Sequence, residues 1–292
     1  MSDQSFRILK LSWSAISIFW IIVLFFVLAD PSLQSGVIDP TPGVSHDIGA
    51  IIIFCTALFL LSLLIYKIFI RVKIKPSNSN RMLLLAFISF FGAVATSLFV
   101  ELVFFNHVIT RYLNCTIFLF TGLGLLSWFM FIIEIFEGGL HYPYNSEKQN
   151  KAQFYKTWLG IIIFLGFHPT YLGYLVKSIW AGLTTIETIL QTFPVLLVGI
   201  FIMVGLFVNP WKILKIVENR REKIGMIALF LAGVFFMAFF ISYIIFTLSV
   251  ADVSTPAEVF PRRWPFYYIS ITMIPLFCVF SYIGFVYPAQ KN

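Results

Sequence analysis

Residues 48–81 read IGAIIIFCTALFLLSLLIYKIFIRVKIKPSNSNR. An apolar run from Ile48 to Ile70 passes directly into a basic segment (Lys67, Arg71, Lys73, Lys75, Arg81) built around the turn formers Pro76-Ser77-Asn78-Ser79-Asn80. A helix rises ~1.5 Å per residue, so about 20 apolar residues cross the ~30 Å hydrocarbon core of a bilayer. The run is therefore long enough to span. A lipid-crossing strand would alternate polarity over about ten residues, whereas this run is apolar on every side. The cations at one end also give the span a direction, because Lys and Arg close to helix ends are retained on the cytoplasmic face.

The same pattern repeats on both sides of this stretch. Approximate spans are predicted at 11–29, 48–70, 82–105, 112–136, 157–178, 185–208, 224–249 and 265–287. Hydrophobic residues make up 60% of the 292 positions and charged residues only 11%, with a mean hydropathy of +0.93. Soluble domains carry about 25% charged residues, so the composition excludes an ordinary soluble protein. No connector approaches the ~50 residues of an independent domain. The expected fold is all-α, one polytopic membrane domain comprising a bundle of eight transmembrane helices.

The connectors alternate between basic and non-basic. Only Arg111, Lys177, Arg262 and Arg263 of the twenty Lys and Arg residues fall on the outer side of this topology. Asp30, Asp39, Asp47, Glu101, Glu187, Asp252 and Glu258 fall there too, leaving the outer face net negative. The inner side therefore carries more positive charge than the formal +7 of the whole chain, and both termini come out cytoplasmic. Anionic lipid headgroups are the expected partners of the inner basic loops, together with an unidentified membrane or cytoplasmic protein. Nucleic acid is not expected, because no basic segment is large enough to form a groove. The localisation expected is integral and multi-pass, in the cell membrane.

The first span follows a basic segment with Arg7 and Lys10, as a signal peptide would. Its apolar run is longer than the ~7–15 residues of a signal core, and Val27-Leu28-Ala29-Asp30 lacks a small-x-small cleavage pattern. It is expected to be retained. Cys55, Cys115 and Cys278 all lie in apolar runs and read as small packing residues. Thr255-Pro256-Ala257-Glu258 forms a capping box in the last outer connector. A shift of 140 residues places Asp47 on Glu187, Lys75 on Lys215 and Arg81 on Arg221, which raises a weak four-plus-four parallel repeat of the kind found in some transporters.

Ionisable and polar groups at membrane depth are functional candidates, because leaving one unpaired there is costly. His168 stands at the midpoint of span five directly before Pro169. An interior proline removes a backbone hydrogen bond and frees a carbonyl one turn earlier, so His168 either satisfies such a group or serves a ligand. Span six carries Gln191, Thr192 and Pro194, and span eight carries Thr272 and Pro275. Three proline-bent helices point to an outward-opening cavity lined by His168, Tyr171, Gln191 and Thr272. Glu101, near the outer end of span three, is expected to pair with Arg111 or Lys177 at the rim or to face a water-filled vestibule. Glu134, Glu137 and His141 share one helical face, but Gly138-Gly139 ends that helix between them, so pairing with inner lysines is favoured over a metal. Small residues recur on span three (Ala86, Ser89, Ala93, Ser97) and span seven (Gly225, Ala228, Ala232), a spacing that lets helices approach closely in lipid.

No GxSxG, HExxH or clustered-histidine pattern occurs, and no span interior offers a lysine for a Schiff base. No cofactor, metal or catalytic residue is expected. Three readings of function follow: a sensing or binding module for an apolar or lipid-like ligand that signals through partners; a secondary transporter with its site among spans five, six and eight; and, more weakly, a lipid-modifying membrane enzyme.

Overall fold

The computed structural model of the chain describes residues 47–74, 76–102, 107–132, 202, 205–250 and 265–286. Six helices lie within them: α1 (Ile48–Ile74), α2 (Asn78–Leu102), α3 (His107–Ile132), α4 (205–214), α5 (Arg220–Val250) and α6 (Phe266–Phe285). Among the described residues all regular structure is helical. Four segments, α1, α2, Arg220–Phe246 of α5 and α6, are long and apolar enough to cross a membrane, and α3 adds the shorter apolar stretch Leu119–Ile132. The chain is therefore an integral membrane protein. Spans one and five, most of span six and both termini lie outside the described residues.

The helix boundaries follow local chemistry. Asp47 caps α1, its Oδ1 accepting from the Ala50 N–H at 3.0 Å. Ser77 caps α2 through Asn80 N–H at 3.2 Å, and Asn219 caps α5 through Arg221 N–H at 3.0 Å. Each is a residue whose short side chain satisfies an orphan donor of the first turn. The helices overrun the apolar spans at the basic ends: α1 runs on to Ile74 and α4 to residue 214. Long cationic side chains permit this, since their stems lie along apolar surface while the heads reach polar surroundings. Lys73 does so, its Nζ lying 4.7 Å from the centre of the Phe69 ring.

The helices form a ring in chain order. α1 packs on α2, α2 on α3, α5 on α6, and α6 closes back on α1. α4 joins the two halves. A Cβ added at Gly205 would sit 2.7 Å from Ile132 Cγ2 of α3, and one at Gly233 of α5 would meet Leu206 Cβ at 3.0 Å. One end of the ring gathers the basic residues. The Arg71 Nη1 of α1 donates to the Phe285 carbonyl of α6 at 3.0 Å, and Gly284 lies against Leu229 and the Gly225 carbonyl of α5. Lys67, Arg71, Lys73, Arg81, Lys212, Lys215, Arg220, Arg221 and Lys223 all belong to helix ends or turns at this end, all exposed. The opposite end carries Asp47 and Glu101. The charge segregation expected from the sequence is thus present among the described residues.

Lipid tails are as apolar as leucine, so packing rather than burial from water must hold such helices together. The packing centres on Trp128, which is fully buried. Its ring lies 5.0 Å from Phe87 of α2, 5.1 Å from Phe277 of α6 and 6.2 Å from Phe236 of α5. Phe90 and Phe285 complete the cluster at 5.9 and 6.0 Å. On α1 the buried residues Ala50, Phe54, Ala57, Leu61, Leu64 and Ile68 alternate at spacings of four and three, one seam of a helix. Its other face, with Ile52, Phe59 and Tyr66, is exposed and suited to acyl chains. Hydroxyls on that face are internally satisfied: Thr56 donates to the Ile52 carbonyl and Ser62 to the Leu58 carbonyl, both at 2.8 Å, as a lipid-facing hydroxyl requires.

Candidate functional site at the acidic end of the bundle

Two neighbouring tyrosines on the first turn of α6 reach two different carboxylates. Successive helical residues point about 100° apart, so Tyr267 and Tyr268 face different neighbours. Tyr267 is buried and its Oη donates to Glu101 Oε1 of α2 at 2.6 Å. Tyr268 donates to Asp47 Oδ1, the oxygen that also caps α1. The two phenol rings pack edge to face at 5.8 Å, and Phe246 of α5 lies 5.3 Å from Tyr267. Four helices therefore meet around two carboxylates and two phenols.

The local sequence explains each position. Gly49 lets the Tyr268 ring approach the start of α1, where a Cβ would lie 3.1 Å from its Cε1. Asp47 is suited to the N-terminus of α1, whose exposed N–H groups favour negative charge. Glu101 is placed less favourably, in the last turn of α2, where carbonyls point outward and repel a carboxylate. A phenolic donor offsets this, and 2.6 Å is the short range of a charge-assisted O–H···O⁻ bond. Ser270 Oγ donates to the Tyr267 carbonyl at 2.7 Å, fixing the turn that carries both tyrosines.

The sequence-predicted residues fare differently. Glu101 does lie at this end, half-buried, and the Tyr267 hydroxyl is a partner that spacing and charge did not suggest. The Arg111 side chain and Lys177 lie outside the described residues, as do His168, Tyr171 and Gln191. Thr272 is exposed on α6, whereas Ser270 and Ile271 beside it are buried. Asp47, Tyr267 and Tyr268 join Glu101 as site residues that the sequence pattern alone does not mark. Tyrosines next to Trp264 at a span entrance match the aromatic belt of a membrane interface, which masks any more specific role. Of the expected small-residue faces, Ala86, Ser89 and Ala93 of α2 and Gly225, Ala228 and Ala232 of α5 are buried. The Glu134–His141 face lies outside the described residues.

Chemically, the cluster offers carboxylate acceptors held by phenolic donors. Among the described residues, no group of three or more His, Cys, Asp or Glu side chains converges as a metal site would. Among the described residues, the buried Ser89 Oγ, Trp128 Nε1 and Ser281 Oγ make no hydrogen bond. The Trp128 indole is enclosed by aromatic rings, to which an N–H can donate only weakly.

No protein-family model matches this chain, and no curated protein or solved structure matches it significantly.

Proposed function

We propose that this chain is a multi-pass membrane protein that accommodates an apolar or lipid-like ligand in the half of the bundle nearer its acidic end and transmits a helix movement to partners at its basic end. The observation that carries this reading is the way α6 is held. Its first turn is tied to α1 and α2 through Tyr268 and Tyr267, and its last residue is tied to Arg71. Pro275 stands between the two ends, where the backbone lacks one hydrogen bond and bends most readily. A ligand that displaced either tyrosine would tilt one half of α6 against the other. The full reading comprises eight spans with both termini cytoplasmic, the basic end inward, and a site that adds His168, Tyr171, Gln191 and Thr272 to the acidic cluster.

A secondary transporter is the second reading, and one observation favours it. Shifting Ile74, the last residue of α1, by 140 positions gives Leu214, the last of α4. α1–α2–α3 and α4–α5–α6 also follow one another around the ring in the same order, as the halves of a parallel duplication would.

Two measurements on the purified protein separate these readings. In detergent, the sensing module is expected to gain thermal stability with one class of apolar amphiphile, and Tyr267→Phe is expected to weaken that gain. In liposomes it is expected to move no solute down a gradient. Solute movement that His168→Ala abolishes would replace the sensing reading with transport.

A further inference from the structure

We propose that the turn joining α4 to α5 is a docking surface for anionic phospholipid headgroups of the adjacent leaflet. The segment is an ordered elbow. Ile213 is buried and Val217 packs against the core, while Ile216 and Val217 both donate to the Ile213 carbonyl, at 2.9 and 3.0 Å. These anchors turn the remaining side chains outward. Lys212, Lys215, Arg220 and Lys223 are exposed, and Trp211 and Ile216 are 56% and 71% exposed. Cations interleaved with an exposed indole and an exposed Ile at the end of a span fit the leaflet boundary, where Trp sits at headgroup level and Lys and Arg meet phosphates. Glu218 and Glu222 lie in the same segment, but the cations outnumber them. The apolar residues also argue for a leaflet over a soluble anionic partner, since Ile216 and Trp211 would otherwise stay in water.

This inference rests on the reading that the basic end faces the cytoplasm, where anionic lipids concentrate, and the two are tested separately. The full-length protein is reconstituted in phosphatidylcholine nanodiscs containing a minority of phosphatidylglycerol, extracted with mild detergent, and its retained lipids are weighed by native mass spectrometry. Phosphatidylglycerol is expected to be enriched over phosphatidylcholine, and the enrichment is expected to fall as salt rises. Each Lys or Arg near an anionic surface contributes a factor of about five. Lys212→Gln/Lys215→Gln/Lys223→Gln is therefore expected to cut the enrichment by about tenfold or more, and the corresponding triple Arg variant to restore it. A variant altered at Lys73 and Arg81 on the α1–α2 turn is expected to retain most of it. Equal retention of the two lipids, or retention unchanged in the triple Gln variant, overturns the proposal; a soluble or protein partner would give the first result. Orientation is read independently, from labelling of Lys215→Cys by an impermeant maleimide on intact cells. Labelling from outside overturns the cytoplasmic assignment while leaving the lipid measurement to stand by itself.

Discussion

Gly124 of α3 has the edge of the Phe90 ring where its Cβ would be, with Cε1 at 2.7 Å and Cδ1 at 2.8 Å. Phe90 is half-buried, and contacts with Phe87, Trp128, Phe236 and Phe277 restrict how far its ring can give way. Gly122, two residues earlier, faces open space, with nothing within 4 Å. Gly124→Ala is therefore expected to cost about 1–3 kcal/mol through overpacking. Gly122→Ala is expected to be neutral or to stabilise by up to about 1 kcal/mol, from the helix propensity of alanine. Thermal unfolding of both variants in detergent measures the contrast, and equal effects would mean that Phe90 is not confined. In the sequence the two glycines sit in one Thr-Gly-Leu-Gly string and look alike. Only the ring across the helix interface tells them apart.

At the scale of an element, Asp47 serves two helices at once. It caps α1 through Ala50 N–H and accepts from Tyr268 of α6. Asp47→Ser is expected to keep a cap and lose the tie, whereas Asp47→Ala loses both. Loss of a cap costs about 1 kcal/mol, and loss of a hydrogen bond to a charged group about 1.5–3 kcal/mol. The Ala variant should thus unfold at the lowest temperature, with Ser between it and the parent. If Ser matched the parent, the contact with Tyr268 would contribute nothing to stability. The capping role is local and could be read from Asp47 standing directly before the apolar run. The tie to α6 spans 221 residues and has no local signature. Helix ends show the same division. The Ser77 cap lies among visible turn formers, but the overrun of α1 and α4 past their apolar runs depends on cationic side chains finding polar surroundings.

At the scale of the whole molecule, Trp128 links three other helices through ring contacts in a core that carries little polar glue. Trp128→Ala is expected to cost about 3–5 kcal/mol, as truncation of a buried aromatic does. It should affect the bundle as a unit, because α2, α5 and α6 all lose contacts together. Size-exclusion chromatography and thermal unfolding should show a destabilised or polydisperse protein, and Trp128→Phe should recover part of the loss. A Trp128→Ala variant that eluted and melted like the parent would show that the aromatic cluster is not what closes the ring.

Hydropathy and charge are additive over neighbouring residues, and each segment meets lipid or water largely by itself. The presence and placement of α1, α2, α5 and α6, and the gathering of cations at one end, are therefore legible in the sequence alone. Helices that are apolar on every side give no local sign of which face meets a partner and which meets acyl chains. The α1 seam from Ala50 to Ile68, the cage around Trp128 and the ties of Tyr267 to Glu101 and Tyr268 to Asp47 became definite only when distant segments were brought together. Those contacts depend on the relative rotation and approach of whole helices, which is a property of the ring and not of any segment in it.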